Sequence, residues 1–311
     1  MHTPSLVHVI GDATVTRIPE ITPFETGPEA LFTDWTPGMT EDGEPWFASG
    51  SMNRQSGNML LSIHLWVIKT SRHTILIDTG VGNGKSRPLA PRFNNLQTPV
   101  LERLAAAGAS PEQVDYVFLT HLHVDHVGWN TRLERGRWTP TFPRAKYVFT
   151  KSGQEFYSDP ANYAEPDKLK YTVYEDSVLP VLDAGQAELV EPDGGEFLEG
   201  ITLHPVDGHC VGQMAVSFTS RGQEALFVGD AAHHPLQVLH PEMNSVWCVR
   251  PEQARASRLW SLDYAASRRA AYFGGHFPGT SAGLVTRKNG RYAWRYVQPA
   301  QTLLDPQGQS F

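Results

Sequence analysis

The feature that most constrains this chain is a predicted strand that runs straight into a knot of metal-ligand side chains. Val114-Asp115-Tyr116-Val117-Phe118-Leu119 is a short β-branched and aromatic run, the pattern of a buried strand. Thr120-His121-Leu122-His123-Val124-Asp125-His126-Val127-Gly128 follows at once, with four potential ligands in six residues. The C-terminal end of a strand is where α/β proteins place their sites. On an extended segment His121 and His123 point the same way. Asp125 and His126 fall where the chain must turn, so they can face a second point nearby. One ion cannot easily use all four from so short a loop, whereas two ions side by side can. Imidazole nitrogens and a carboxylate oxygen suit zinc and its first-row neighbours. With 13 histidines some clustering is expected, but four ligand types at this spacing, directly after a strand, are hard to obtain by chance.

Three more ligand candidates end or follow predicted strands. His209 stands in Val206-Asp207-Gly208-His209, Asp230 in Phe227-Val228-Gly229-Asp230, and His276 in Phe273-Gly274-Gly275-His276. A glycine precedes each, which lets the backbone turn closely against an ion. Singly these are ordinary turns. Together with the central motif they make seven ligands, enough for two ions that share one carboxylate. Asp78 ends another predicted strand before Thr79-Gly80 and can orient a ligand imidazole from behind.

The rest of the chain supplies an α/β framework. Strands are predicted over residues 6–18, 59–68, 74–77, 146–150, 187–190, 201–206, 214–219, 225–228, 284–286 and 292–297. Helices are predicted over 98–107 (Thr98 as N-cap, Gly108 as stop), 151–157, 174–182 and 251–271. Strands and helices fall into two similar halves, which two face-to-face sheets with outer helices would bury. No linker divides them, so residues 1–311 read as one domain. Residues 19–57 have no clear period and carry Phe24, Phe32, Trp35, Trp46 and Phe47. A segment this long without regular structure is an arm: a lid, a dimer contact, or a loop pinned to the core by its aromatics.

Composition excludes several classes. A net charge of −7 argues against nucleic-acid binding. Two cysteines imply no disulfide framework. No apolar run approaches the roughly 20 residues of a membrane span, and the N-terminus lacks a signal-peptide layout, so a cytoplasmic location is the expectation.

His-x-His-x-Asp-His, then a Gly-His, a Gly-Asp and a late Gly-His, in that order, resembles the metallo-β-lactamase superfamily of binuclear hydrolases. The likeness spans about residues 60–297. It implies an αββα sandwich of two packed mixed sheets, with two divalent metal ions at one edge. The ions would be zinc, with Mn, Fe or Co as alternatives. By the same resemblance His121, His123 and His209 hold the first ion, Asp125, His126 and His276 the second, Asp230 bridges, and Asp78 supports the ligands. The zinc β-lactamases proper carry Cys where Asp230 stands and no ligand at the position of His126. The later ligand spacing and the long arm are most similar to the lactonase and methyl parathion hydrolase branch.

Two such ions would share a hydroxide that attacks a lactone or ester carbonyl. Asp125 could pass a proton to the leaving group, and His233, three residues after Asp230, could donate a hydrogen bond to the oxyanion. Trp129 either lines the pocket or packs, Phe277 is expected near the pocket, and no Lys/Arg cluster flanks a ligand motif. The substrate is therefore expected to be a small neutral lactone or ester, such as an acyl-homoserine lactone. Phosphotriester hydrolysis and hydrolytic dehalogenation of chlorinated aromatics stand as alternatives, β-lactam hydrolysis behind them, and an oxygen-using or metal-free member of the fold as other classes. A homodimer is compatible with the arm.

Overall fold

The computed structural model describes residues 6–40, 50–163 and 167–300, so Trp46 and Phe47 of the arm lie outside the described residues. The first sheet contains β1 (Leu6–Ile10), β2 (Ala13–Thr26), β3 (Met59–Lys69), β4 (Thr74–Ile77), β5 (Tyr116–Phe118), β8 (Lys146–Thr150) and β9 (Ala187–Val190), in that order across it. Its first four strands are antiparallel and its last four, from β4 on, parallel. Between β5 and β8 the chain makes a separate hairpin, β6 (Thr131–Glu134) and β7 (Arg137–Pro140). The second sheet runs β10 (Glu196–Leu198), β11 (Ile201–Pro205), β12 (Met214–Ser220), β13 (Gln223–Phe227), β14 (Ala271–Phe273), β15 (Ala282–Lys288) and β16 (Arg291–Tyr296). Its pairs are antiparallel except β13 with β14.

Side-chain alternation divides the core into layers. Val15, Trp66, Ile68, Ile75, Ile77, Phe118 and Val148 of the first sheet meet Leu203, Met214, Val216, Phe218, Phe227 and Phe273 of the second. The outer face of the first sheet is covered by α2 (Val100–Ala106), α3 (Lys151–Ser158), α4 (Thr172–Ser177) and α5 (Leu179–Asp183). The outer face of the second lies under α7 (Pro251–Arg268), which buries Ala254, Arg258, Leu262 and Ala265. This is the expected αββα sandwich. Among the described residues no helix is long and apolar enough to cross a membrane.

Several local expectations change. Residues 19–26, expected to be irregular, continue β2 and pair with β3 as far as Thr26. Two register shifts between Pro19 and Phe24 break the alternation that would have marked a strand. Residues 27–40 carry α1 (Pro28–Leu31), and Leu31, Phe32, Trp35 and Met39 pack with Met59, Leu61, Leu236 and Met243. Thr98 does not cap α2; its hydroxyl lies against Asn83 Oδ1 at 3.1 Å and Glu20 Oε1 at 3.3 Å. The predicted helix 174–182 is split at Val178, just before Pro180, into α4 and α5. The helix predicted to Ala271 stops at Arg268, because Arg269 turns left-handed (φ 57°) and Ala271 begins β14. A short helix, α6 (Leu236–Leu239), follows β13 unannounced by any period.

The loops after β4 and β5 are zipped together. Asp78 N donates to Phe118 O at 2.9 Å, Thr79 N to His126 O at 2.7 Å, and Gly128 N to Gly80 O at 2.7 Å. Beneath them the buried Glu20 carboxylate accepts from Val81 N (2.6 Å), Gly82 N (3.1 Å) and Trp129 Nε1 (2.8 Å). Trp129 is therefore a packing residue of the core and not a wall of a pocket, and Phe277 is fully buried between Tyr272 and Trp294.

At Gly128 a Cβ would lie 1.8 Å from the Val81 carbonyl carbon. Gly128→Ala should force the two loops apart and cost about 1–3 kcal/mol or more. Gly38→Ala, where a Cβ meets nothing within 4 Å, should change stability little. Urea denaturation of the metal-free proteins checks both.

Candidate metal centre

All seven predicted ligands converge at one edge of the sandwich. His121, His123, Asp125 and His126 occupy the loop after β5, His209 the loop after β11, Asp230 the turn after β13 and His276 the loop after β14. Their ligand atoms fall into two groups, each within 4.8 Å: His121, His123, His209 and Asp230 in one, Asp125, His126 and His276 in the other. In the first group His123 Nδ1 stands 3.0 Å from both His121 Nε2 and His209 Nε2. In the second, His126 Nε2 and His276 Nε2 are 3.3 Å apart, with Asp125 oxygens 3.8 and 3.7 Å from them. Asp230 lies between the groups. Its Oδ2 is 3.2 Å from His209 Nε2, and its Oδ1 is 3.3 Å from His126 Nε2 and 2.9 Å from His276 Nε2.

Three of the five candidate imidazoles, His121, His126 and His276, are oriented from behind, while His209 Nδ1 is buried without an aligned partner. Asp78 accepts from Thr120 N at 2.7 Å, from Thr120 Oγ1 at 2.9 Å and from His126 Nδ1 at 2.8 Å. The Thr120 hydroxyl, donating to Asp78, accepts from His121 Nδ1 at 3.1 Å. His276 Nδ1 donates to Ser62 O at 3.1 Å. With the protons of His121, His126 and His276 spent on Nδ1, the Nε2 lone pairs aim inward, toward carboxylate oxygens and toward one another. Lone pairs at such distances repel unless something positive sits among them. Asp230 Oδ1, buried, has no aligned hydrogen-bond donor. A divalent cation in each group satisfies this donor set, and the mix of imidazole and carboxylate suits zinc.

The two groups differ in charge state. Burial holds the His121 and His209 imidazoles well below their usual range and His123 at about 4, so this group is neutral and ready to ligate. Burial also opposes charge on His126 and His276, but nearby carboxylates, Asp230 foremost, outweigh it and raise both. Burial works against the Asp230 carboxylate too, yet His276, His126, His233 and His209 together keep it well below the carboxylate range.

His233 belongs to the same cluster. It is fully buried, stacks on His276 with centroids 5.7 Å apart, and places Nε2 3.2 Å from Asp230 Oδ2. Neither of its ring nitrogens has an aligned hydrogen-bond partner. His234 differs: its Nε2 donates to Ser51 O at 2.9 Å and its Nδ1 accepts from Leu236 N at 3.2 Å, which makes it part of the framework. The site opens on the side of His123 and Asp125, the two residues of the cluster that are only half-buried.

Sequence reasoning missed residues that touch the cluster from other segments. Trp247, half exposed, faces His233 with centroids 5.5 Å apart. Val246 and Val249 beside it are also exposed, and Val249 N donates to His209 O at 3.0 Å, so the segment is tied to a candidate ligand. No cation was expected near the ligands, yet the buried Arg258 of α7 donates to Ala231 O (2.9 Å), Pro241 O (2.7 Å) and Asn244 Oδ1 (3.2 Å). It holds the segment after Asp230. Its 28-residue separation from Asp230 in the chain left no local signal.

The sequence profile described as "Metallo-beta-lactamase superfamily" matches residues 59–276. The chain belongs to this superfamily, and the class so defined is that of metal-dependent hydrolases. Among solved structures it is similar to the hydrolase AbOPH of the beta-lactamase superfamily, at 23% identity and a TM-score of 0.79, over 96% of this chain and 99% of that one. It is similar to AidC, a dizinc quorum-quenching lactonase solved with a product, at 19% identity and a TM-score of 0.75, over 94% and 97%. A probable metal-dependent hydrolase from Staphylococcus aureus matches at 20% identity and a TM-score of 0.73, over 95% and 100%. No curated protein matches the sequence.

An ion that binds only the folded chain stabilises it, by about 2.7 kcal/mol at a hundredfold excess over Kd. Titrating zinc into the metal-free protein should raise Tm accordingly, and Asp230→Ala should lose most of the rise. Differential scanning calorimetry at several zinc concentrations measures it.

Proposed function

We propose that the chain is a binuclear hydrolase of neutral lactones and esters, of the lactonase and methyl parathion hydrolase branch. His121, His123 and His209 would hold one zinc ion and Asp125, His126 and His276 the other, with Asp230 placed between the two groups. The observation that carries this reading is the position of Asp230, with one carboxylate oxygen turned to each group of imidazoles. When bound, two such ions supply Lewis acidity and make water a nucleophile near neutral pH. AidC, named as a dizinc lactonase, supports the metal and the reaction. So does an N-acyl homoserine lactone hydrolase solved with N-hexanoyl-L-homoserine at its catalytic metal centre, similar at 17% identity and a TM-score of 0.60 over 86% of this chain and 94% of that one.

In this reading water adds to the acyl carbon, the acyl C–O bond breaks, and the proton of the water ends on the departing alkoxide. Asp125, the half-buried carboxylate at the opening, is placed to pass that proton. His233, with a ring nitrogen free of any aligned partner, donates to the carbonyl oxygen as charge develops on it. Trp247, with Val246 and Val249, forms an apolar lip against which an aryl or acyl group rests. An uncharged substrate with one apolar arm matches an opening bordered by these residues. A phosphotriester, also neutral, is the second reading.

Side-by-side assays of an acyl-homoserine lactone, dihydrocoumarin, an aryl acetate, paraoxon, a cephalosporin and a chlorinated aromatic nitrile test the assignment. The highest kcat/KM is expected on a lactone or aryl ester, with weaker activity on paraoxon. Preference for the cephalosporin or the nitrile would refute the substrate class and leave the metal site standing. Trp247→Ala should raise KM for the aryl acetate roughly 2- to 10-fold, the worth of an aromatic contact, and leave methyl acetate unaffected. His233→Phe should lower kcat roughly 10²-fold, as loss of an oxyanion donor does, with both ions retained by elemental analysis.

A further inference from the structure

A buried polar chain runs from β2 to the loop that carries His276, and nothing in the reaction above uses it. Val15 and Trp66 face the layer between the sheets, so alternation puts Arg17, Ser62 and His64 on the same face. All three are buried. A guanidinium can only donate, and Arg17 Nη2 donates to Ser62 Oγ and, at 3.3 Å, to Thr22 Oγ1. At the other end, His64 Nε2 lies 3.1 Å from Gly274 O, a group that can only accept. The His64 proton therefore sits on Nε2, and Nδ1 is an acceptor. The Ser62 hydroxyl, 3.0 Å from His64 Nδ1, must then donate to it. Every proton along Arg17, Ser62, His64 and Gly274 has one direction, set by the guanidinium.

Two members of this chain, Ser62 and His64, grip the His276 loop. Ser62 N donates to His276 O at 3.0 Å, and Ser62 O accepts from His276 Nδ1 at 3.1 Å. Gly274, two residues before His276, is held by His64. Gly274 and Gly275 would otherwise give this loop wide backbone freedom. No ion pair links Arg17 to a carboxylate among the described residues, so its buried charge is spent on polarising this chain. Burial without a compensating anion is costly, and a guanidinium kept here has a local task.

We infer that Arg17, Ser62 and His64 are positioning residues for His276, holding its ring so that Nε2 meets the second ion. The inference rests on the binuclear reading. Metal binding tests it apart from turnover, by chelator competition on the metal-free protein with zinc, resolving the two binding steps. Ser62→Ala removes the relay hydroxyl and keeps both backbone contacts to His276. His64→Phe removes both ring partners. Each should weaken the second step by roughly 10- to 100-fold, the usual effect of losing a group that orients a ligand, and leave the first, at His121, His123 and His209, unchanged. Arg17→Lys keeps a donor and should restore most of the second step, whereas Arg17→Met should not.

Wild-type affinity at both steps in Ser62→Ala and Arg17→Met would overturn the inference. So would equal weakening of both steps, which would mean general destabilisation. A wild-type protein that binds one ion would overturn the binuclear reading itself, and the inference with it.

Discussion

The structure depends on one buried carboxylate, Asp230, set among the ring nitrogens of four histidines. A carboxylate this deep is costly without compensation. His126, His209, His233 and His276 all present Nε2 within 3.3 Å of its oxygens. Two of these, His126 and His276, already have Nδ1 donating to Asp78 and to Ser62 O, and in the metal-free site the carboxylates favour a second proton on each ring. A cation on each side of the carboxylate would take the place of those protons. The surrounding hydrogen bonds can be read as means of keeping these groups close in spite of their mutual repulsion.

The sandwich meets that demand by drawing the candidate ligands from strand ends of both sheets. β5 of the first sheet and β11, β13 and β14 of the second deliver them to a common edge. The loops after β4 and β5 are fastened by main-chain hydrogen bonds, and Gly128 permits their contact. Glu20 ties the same loops to β2, and Arg258 ties the segment after Asp230 to α7. The buried floor contrasts with His123, Asp125 and Trp247, which remain partly exposed. Chemistry would thus happen on a fixed base beneath a side accessible to a small molecule.

Much of this was legible in the sequence, and the exceptions have physical causes. The candidate ligands could be read because each sits at a strand end in a short motif, and their order along the chain carried the resemblance to the superfamily. Asp78 was legible for the same reason. Glu20, Arg17 and Arg258 were not, because they reach the site from distant segments and no local spacing marks them. The strand character of residues 19–26 was hidden by Pro19, Pro23 and the register shifts that accompany them. Phe277 was misplaced, and Trp129 takes the packing one of its two expected roles, because adjacency in sequence to a candidate ligand does not say which way a side chain turns: Trp129 points to Glu20 and Phe277 to Trp294. Trp247 lies 17 residues past Asp230, in a segment without periodicity, and only its contact with His233 brings it to the site.

The central claim is that two ions lie on either side of Asp230. Crystals of the protein grown with zinc, measured above and below the zinc absorption edge, test it most directly. Two anomalous peaks are expected, one among His121, His123 and His209 and one among Asp125, His126 and His276, with an Asp230 oxygen on each. A single peak, or a second peak away from His276, would contradict the account.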